Sequence, residues 1–123
     1  MSIRFFGPES PADDLARDGG GKAAHMARLH TLGVRVPEWC CIPATVFDDY
    51  GARSGVAALP LPTAADEAAF ADRVAALFAA TPILPDLRDA MRAAMLARGL
   101  ADALVAVRSS GIGEDSAERS FAG

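Results

Sequence analysis

Val105-Ala106-Val107-Arg108-Ser109-Ser110-Gly111-Ile112-Gly113-Glu114-Asp115-Ser116 is the most informative stretch of this 123-residue chain. Leu104 to Val107 are apolar and include two β-branched valines, which predicts a short strand. That strand delivers Arg108 to its end, and two hydroxyls and two glycines then form a loop. An arginine fork beside serine hydroxyls and open backbone N–H groups suits phosphate oxygens. Gly111-x-Gly113-x-x-Ser116 also mimics a dinucleotide fingerprint, but serine stands where the third glycine belongs. The acidic ribose partner of that fingerprint falls about 20 residues further on, beyond Gly123.

A second glycine-rich segment lies far upstream. Gly19-Gly20-Gly21-Lys22 opens a stretch, Lys22 to Leu32, in which Met26, Leu29 and Leu32 recur at helical spacing with Ala23 and Ala27 beside them. Gly33 is placed to stop that helix. Free N–H groups at a helix start, together with the helix dipole, attract anions, and glycines let a ligand approach the backbone. Of the 12 basic residues, 11 are arginine, and Lys22 is the single lysine. A lone mobile point charge placed at such a turn suits a phosphate; the plainer reading is a flexible turn with an exposed lysine. The segment is not a P-loop, because Ala16 and Ala23 stand where that motif needs glycine and a hydroxyl.

The rest of the chain predicts a scaffold. Ser2 to Phe6 alternates as a short edge strand, ended by Gly7-Pro8. Val34 to Pro37 is extended, and Trp39 to Ile42 is a second apolar strand. Thr45 can cap a helix carrying Val46, Phe47 and Tyr50. Thr63 with Asp66 resembles a capping box, opening a helix whose stripe is Phe70, Val74, Leu77 and Phe78. A further helix follows Pro85, with Leu87, Met91 and Met95 on one face and Gly99 at its end. No internal repeat is present.

Composition narrows the function classes. The formal net charge is −4, a poor balance for a nucleic-acid surface, which needs clustered cations. Hydrophobic residues make up 51% of the chain, enough for a packed core. No apolar run approaches the ~18 residues of a membrane span. Charges at Arg4, Glu9, Asp13, Asp14 and Arg17 argue against a secretory leader. The vicinal Cys40 and Cys41 lack zinc-ligand spacing and read as reduced thiols near the core of a cytoplasmic protein. His25 and His30 read as helix-surface or core-edge residues. The adjacent acidic pairs Asp13-Asp14, Asp48-Asp49 and Glu114-Asp115 do not make catalytic dyads, because neighbouring side chains do not face one another.

Together the two glycine-rich segments carry a resemblance. Gly20-Gly21-Lys22-Ala23, Leu32-Gly33-Val34-Arg35-Val36-Pro37, Val105 to Ser110, and Gly113-Glu114-Asp115-Ser116-Ala117-x-x-Ser120-Phe121-Ala122-Gly123 occur in that order. They resemble the N-terminal nucleotide-binding domain of the phosphoenolpyruvate synthase and pyruvate phosphate dikinase family, shared with the rifamycin phosphotransferases. The likeness runs from about residue 18 to the end, with the middle helices loosely matched. It implies an α+β fold, the first subdomain of an ATP-grasp unit, with helices packed on a small mixed sheet and the chain cut short at its C-terminus. Residues 1–123 are then a partial N-terminal nucleotide-binding domain of a dikinase.

The resemblance implies that ATP is bound by Gly20, Gly21, Lys22, Arg108, Ser109, Ser110, Gly111, Gly113 and Ser116. Lys22 and Arg108 match residues that contact the phosphates, and Arg108 is the catalytic candidate. The family moves phosphoryl from ATP to a histidine on a separate swivelling domain, then to pyruvate or another acceptor. The implied partners in cis are a second ATP-grasp subdomain and the phospho-histidine domain. Magnesium is implied as well, with ligands mostly outside this chain and none assigned within it. A rifamycin-type phosphotransferase and a non-catalytic nucleotide-binding fragment are the alternatives. Against the family pattern, His25 replaces a usual Asn, Met26 a usual Leu, and Glu38-Trp39-Cys40 a common Pro-Gly-Phe. These changes touch packing more than phosphates.

Overall fold

A computed structural model describes residues 3–113. Among the described residues five α-helices follow one another: α1 (Ala12–Asp18), α2 (Gly21–Thr31), α3 (Ala44–Ser54), α4 (Glu67–Ala80) and α5 (Pro85–Ala97), with a 3-10 turn (Val56–Ala58) after α3. The helices from α2 onward lie where the apolar spacing and the proline and glycine punctuation put them. Pro85 occupies the first turn of α5, where its missing N–H costs nothing. Gly33, Gly55 and Gly99 follow α2, α3 and α5 with φ of 77°, 84° and 68°, the left-handed conformation that ends helices. Helix α1 was not expected. It is one short element, with Asp13 and Asp14 in its first turn and Arg17 in its last, a charge order that favours the helix dipole.

The expected α+β architecture with a small mixed sheet is not what forms. Among the described residues there is no strand, and pairing is confined to one antiparallel bridge between Phe6 and Cys41. Those two residues exchange both backbone hydrogen bonds, at 3.0 and 2.9 Å. The ladder cannot lengthen easily, because Pro8 and Pro43 each stand two residues beyond the bridge without an N–H to donate. Leu104 to Val107 runs without a ladder partner among the described residues, and Leu104 and Val107 are 106% and 95% exposed. A strand is defined by its neighbour, and apolar β-branched sequence alone supplies none. Phe121 lies outside the described residues.

The core is small. Phe6, Leu15, Ala23 and Ala27 are buried, with Ala24, Trp39 and Cys41 packed against them. In the sequence, Met26, Leu29 and Leu32 mark the helical repeat of α2, with Ala23 and Ala27 beside them. Leu29 and Leu32 are exposed, and the inner face is Ala23 and Ala27, four residues apart. Small side chains there let α2 approach Leu15 of α1 closely. A second cluster joins α3 to α4. The Tyr50 ring stacks on Phe78 with centroids 5.3 Å apart, and its hydroxyl lies 2.8 and 2.7 Å from the carbonyl oxygens of Phe78 and Thr81.

Helix α5 is fastened through its C-cap residue, Arg98. The guanidinium grips both carboxylate oxygens of Glu9 and donates to Glu38 at 2.8 Å. It lies against Gly7, where a Cβ would collide with it. The hydrogen bond from Arg98 holds the Glu9 carboxyl below its ordinary pKa. A depressed folded-state pKa means stability present above the unfolded value, about 4.3 for glutamate, and lost as pH falls through the lower folded value. Denaturation midpoints measured at about pH 6 and about pH 3 should therefore differ more in the parent than in Glu9→Gln. The Glu9 carboxylate is largely exposed, so solvent screening keeps the difference small.

Candidate functional site

The two glycine-rich segments meet. The main chain leaves α1 through Gly19 and Gly20, whose N–H groups both donate to the Leu15 carbonyl, at 2.9 and 3.0 Å. Gly20 is then the N-cap of α2 with φ 84° and ψ 170°, a region open essentially to glycine alone. A Cβ at Gly20 would fall inside the van der Waals envelope of the Ser110 carbonyl oxygen. The downstream loop thus lies directly on this turn.

Three hydrogen bonds among the described residues join the two segments. The Ser110 hydroxyl donates to the Gly19 carbonyl at 2.8 Å. The same oxygen accepts the Ala23 N–H at 3.2 Å. The Gly21 N–H donates to the Gly111 carbonyl at 3.3 Å. Residues about ninety positions apart are therefore within one hydrogen-bond length of each other. Ser110 is half-buried, whereas Arg108, Ser109, Gly111 and Gly113 are exposed. Arg108 and Ser109 immediately precede the junction. Gly113 follows it with φ 77° and open space on its Cβ side. Lys22 is half-buried in the first turn of α2. Ser116 lies outside the described residues.

The turn is also braced from behind. The Asp18 carboxylate accepts the Thr45 N–H at 2.9 Å and the Thr45 hydroxyl at 3.0 Å. Thr45 was expected to cap α3 itself; Pro43 holds that position, and Asp18 supplies the acceptor from outside the helix. The Cys41 thiol donates to the Gly19 carbonyl at 3.3 Å. Burial pushes that thiol up, favouring the protonated form that can donate. Sequence reasoning missed both braces and the Arg98 pairs. Asp18 directly before three glycines and Cys41 within the apolar Trp39 to Ile42 stretch were the available signals, but neither names its partner.

The arrangement gathers what binding of an anionic phosphate chain asks for: a glycine turn, a helix start, a lysine in its first turn and an exposed arginine beside the joining loop. Among the described residues no three His, Cys, Asp or Glu side chains converge on a metal position. No single described helix is long and apolar enough to cross a membrane.

Searches among curated proteins and solved structures gave no match to this chain. A family model, described as pyruvate phosphate dikinase, AMP/ATP-binding domain, matches residues 18–123. That span begins at the residue that braces the glycine turn and takes in both joined segments, so the chain belongs to the pyruvate phosphate dikinase AMP/ATP-binding domain family.

Proposed function

We propose that this chain is the ATP-binding portion of a phosphoenolpyruvate synthase-like (pyruvate, water dikinase) phosphotransferase. The full protein moves phosphoryl from ATP to a histidine on a separate domain and then to pyruvate. The observation that carries this reading is the junction of Ser110 and Gly111 with Gly19, Gly21 and Ala23, which brings two distant phosphate-type motifs side by side. Phosphoryl transfer asks mainly for positioning and for neutralisation of spread charge. Lys22 supplies a mobile point charge and Arg108 a planar fork for phosphate oxygens. Ser109, together with the backbone of the Gly20-Gly21 turn and of the Gly111–Gly113 loop, lines the approach. Magnesium, when bound, screens the phosphate charge. The free, half-buried Cys40 and Cys41 accord with a reducing cytoplasmic setting.

Lys22→Ala tests the assignment. Isothermal titration of the full-length protein with a non-hydrolysable ATP analogue should show a loss of about 1.5–3 kcal/mol, the range for a hydrogen bond to a charged group. Unchanged affinity would remove Lys22 from the phosphate site and the reading with it.

A further inference from the structure

We propose that Ser110 is a positioning residue: its hydroxyl clamps the N-terminal turn of α2 and so sets the shape of the site, instead of contacting phosphate. The inference rests on the nucleotide-binding reading for its consequence, but its geometry stands independently.

A serine hydroxyl has one proton to give and two lone pairs to receive with. In Ser110 the proton goes to the Gly19 carbonyl, at 2.8 Å. One lone pair takes the Ala23 N–H, at 3.2 Å. A phosphate oxygen accepts hydrogen bonds only, so a Ser110 contact with it would require the proton that Gly19 already holds. Ala23 is the third residue of α2, and its N–H is one of the four that a helix start leaves without an intrahelical partner. Such a group is ordinarily satisfied by the N-cap side chain. Here the N-cap is Gly20, which has no side chain. Ser110 performs that capping from 87 residues downstream. Gly111 reinforces it by accepting the Gly21 N–H.

The clamp has two consequences. It fixes the glycine turn against the loop that follows Arg108, so the lysine-bearing and arginine-bearing segments hold one relative placement. It also separates the roles of the two adjacent serines, with Ser110 turned to the protein and Ser109 exposed.

Amide hydrogen exchange on the nucleotide-free protein tests the clamp. The parent should show a protected Ala23 amide, although unaided helix starts exchange quickly. Ser110→Ala should speed exchange at Gly21 and Ala23 about tenfold or more, the scale of a lost cap, with α4 amides unchanged as internal reference. Ser109→Ala should leave both amides as they are. Titration with a non-hydrolysable ATP analogue forms the second arm, where Ser110→Ala should weaken affinity in step with the loosened turn. An unprotected Ala23 amide in the parent overturns the proposal even if the variant fails to fold. So does a Ser110→Ala protein that loses affinity while its unbound turn exchanges at the parent rate, since that result makes Ser110 a direct ligand. A parent protein that binds no analogue refutes the nucleotide reading alone, and the exchange arm still decides the clamp.

Discussion

Leu15→Ala should lower the free energy of unfolding by about 2–5 kcal/mol, the range for emptying a leucine from a packed core. Leu15 is 0% exposed and is the largest fully buried side chain described in this chain. Its neighbours in the core are Phe6, Ala23 and Ala27, and two of those three are alanines with no reach to refill the cavity. Domains of this size are stable by only about 5–15 kcal/mol, so the loss is a large fraction of the whole. The damage should reach the site as well, because the Leu15 carbonyl receives the N–H groups of both Gly19 and Gly20. Urea denaturation followed by the fluorescence of Trp39, the one tryptophan and a neighbour of this core, measures it. A cost below about 1 kcal/mol, far under the cavity range, would mean that α1 does not pack on α2 in this way.

Local and long-range features of this chain differ in how plainly its sequence displays them. Helices α2 to α5 were legible because their signals are local: apolar residues at 3.6-residue spacing, Pro85 at a helix start, and glycines at helix ends. The sheet was not, because strand formation depends on partners at unpredictable distance. Phe6 and Cys41 pair through two hydrogen bonds only, and Leu104 to Val107 stays exposed or half-open to solvent despite an ideal strand composition. Which side of the α2 apolar repeat turns inward is hidden for a related reason. Leucine and methionine outrank alanine in hydrophobicity, but close helix approach selects Ala23 and Ala27.

The site shows the same division. The glycine turn, Lys22 and the Arg108 loop stood out in the sequence by residue type alone. That Ser110 touches Gly19 and Ala23 did not, because no periodicity relates positions about ninety residues apart. The Asp18–Thr45 brace and the Arg98 grip on Glu9 and Glu38 are of the same long-range kind. Exposed ion pairs leave no mark on sequence patterning, since charged residues read equally well as solvated surface.

Gly20→Ala should be the most damaging single substitution at the site. At φ 84° and ψ 170°, a side chain costs about 1–3 kcal/mol in backbone strain alone. The added methyl would also collide with the Ser110 carbonyl oxygen and carbon. These are backbone atoms, so no side-chain rotation relieves the overlap. Either the loop carrying Arg108 to Gly111 lifts off the turn, or the turn unwinds into another conformation. In both cases the hydrogen bonds from Ser110 to Gly19, from Ala23 to Ser110 and from Gly21 to Gly111 are lost together. By contrast, an added Cβ at Gly33 or Gly55 meets no atom within 4 Å, so alanine there should cost only the left-handed backbone strain, about 1–2 kcal/mol. Thermal denaturation of the three variants, together with nucleotide-analogue titration of each, separates the two effects. Gly20→Ala should lose both stability and binding, whereas Gly33→Ala and Gly55→Ala should lose stability and keep binding. Equal affinities across the three would show that the junction of the two glycine-rich segments does not shape the binding site.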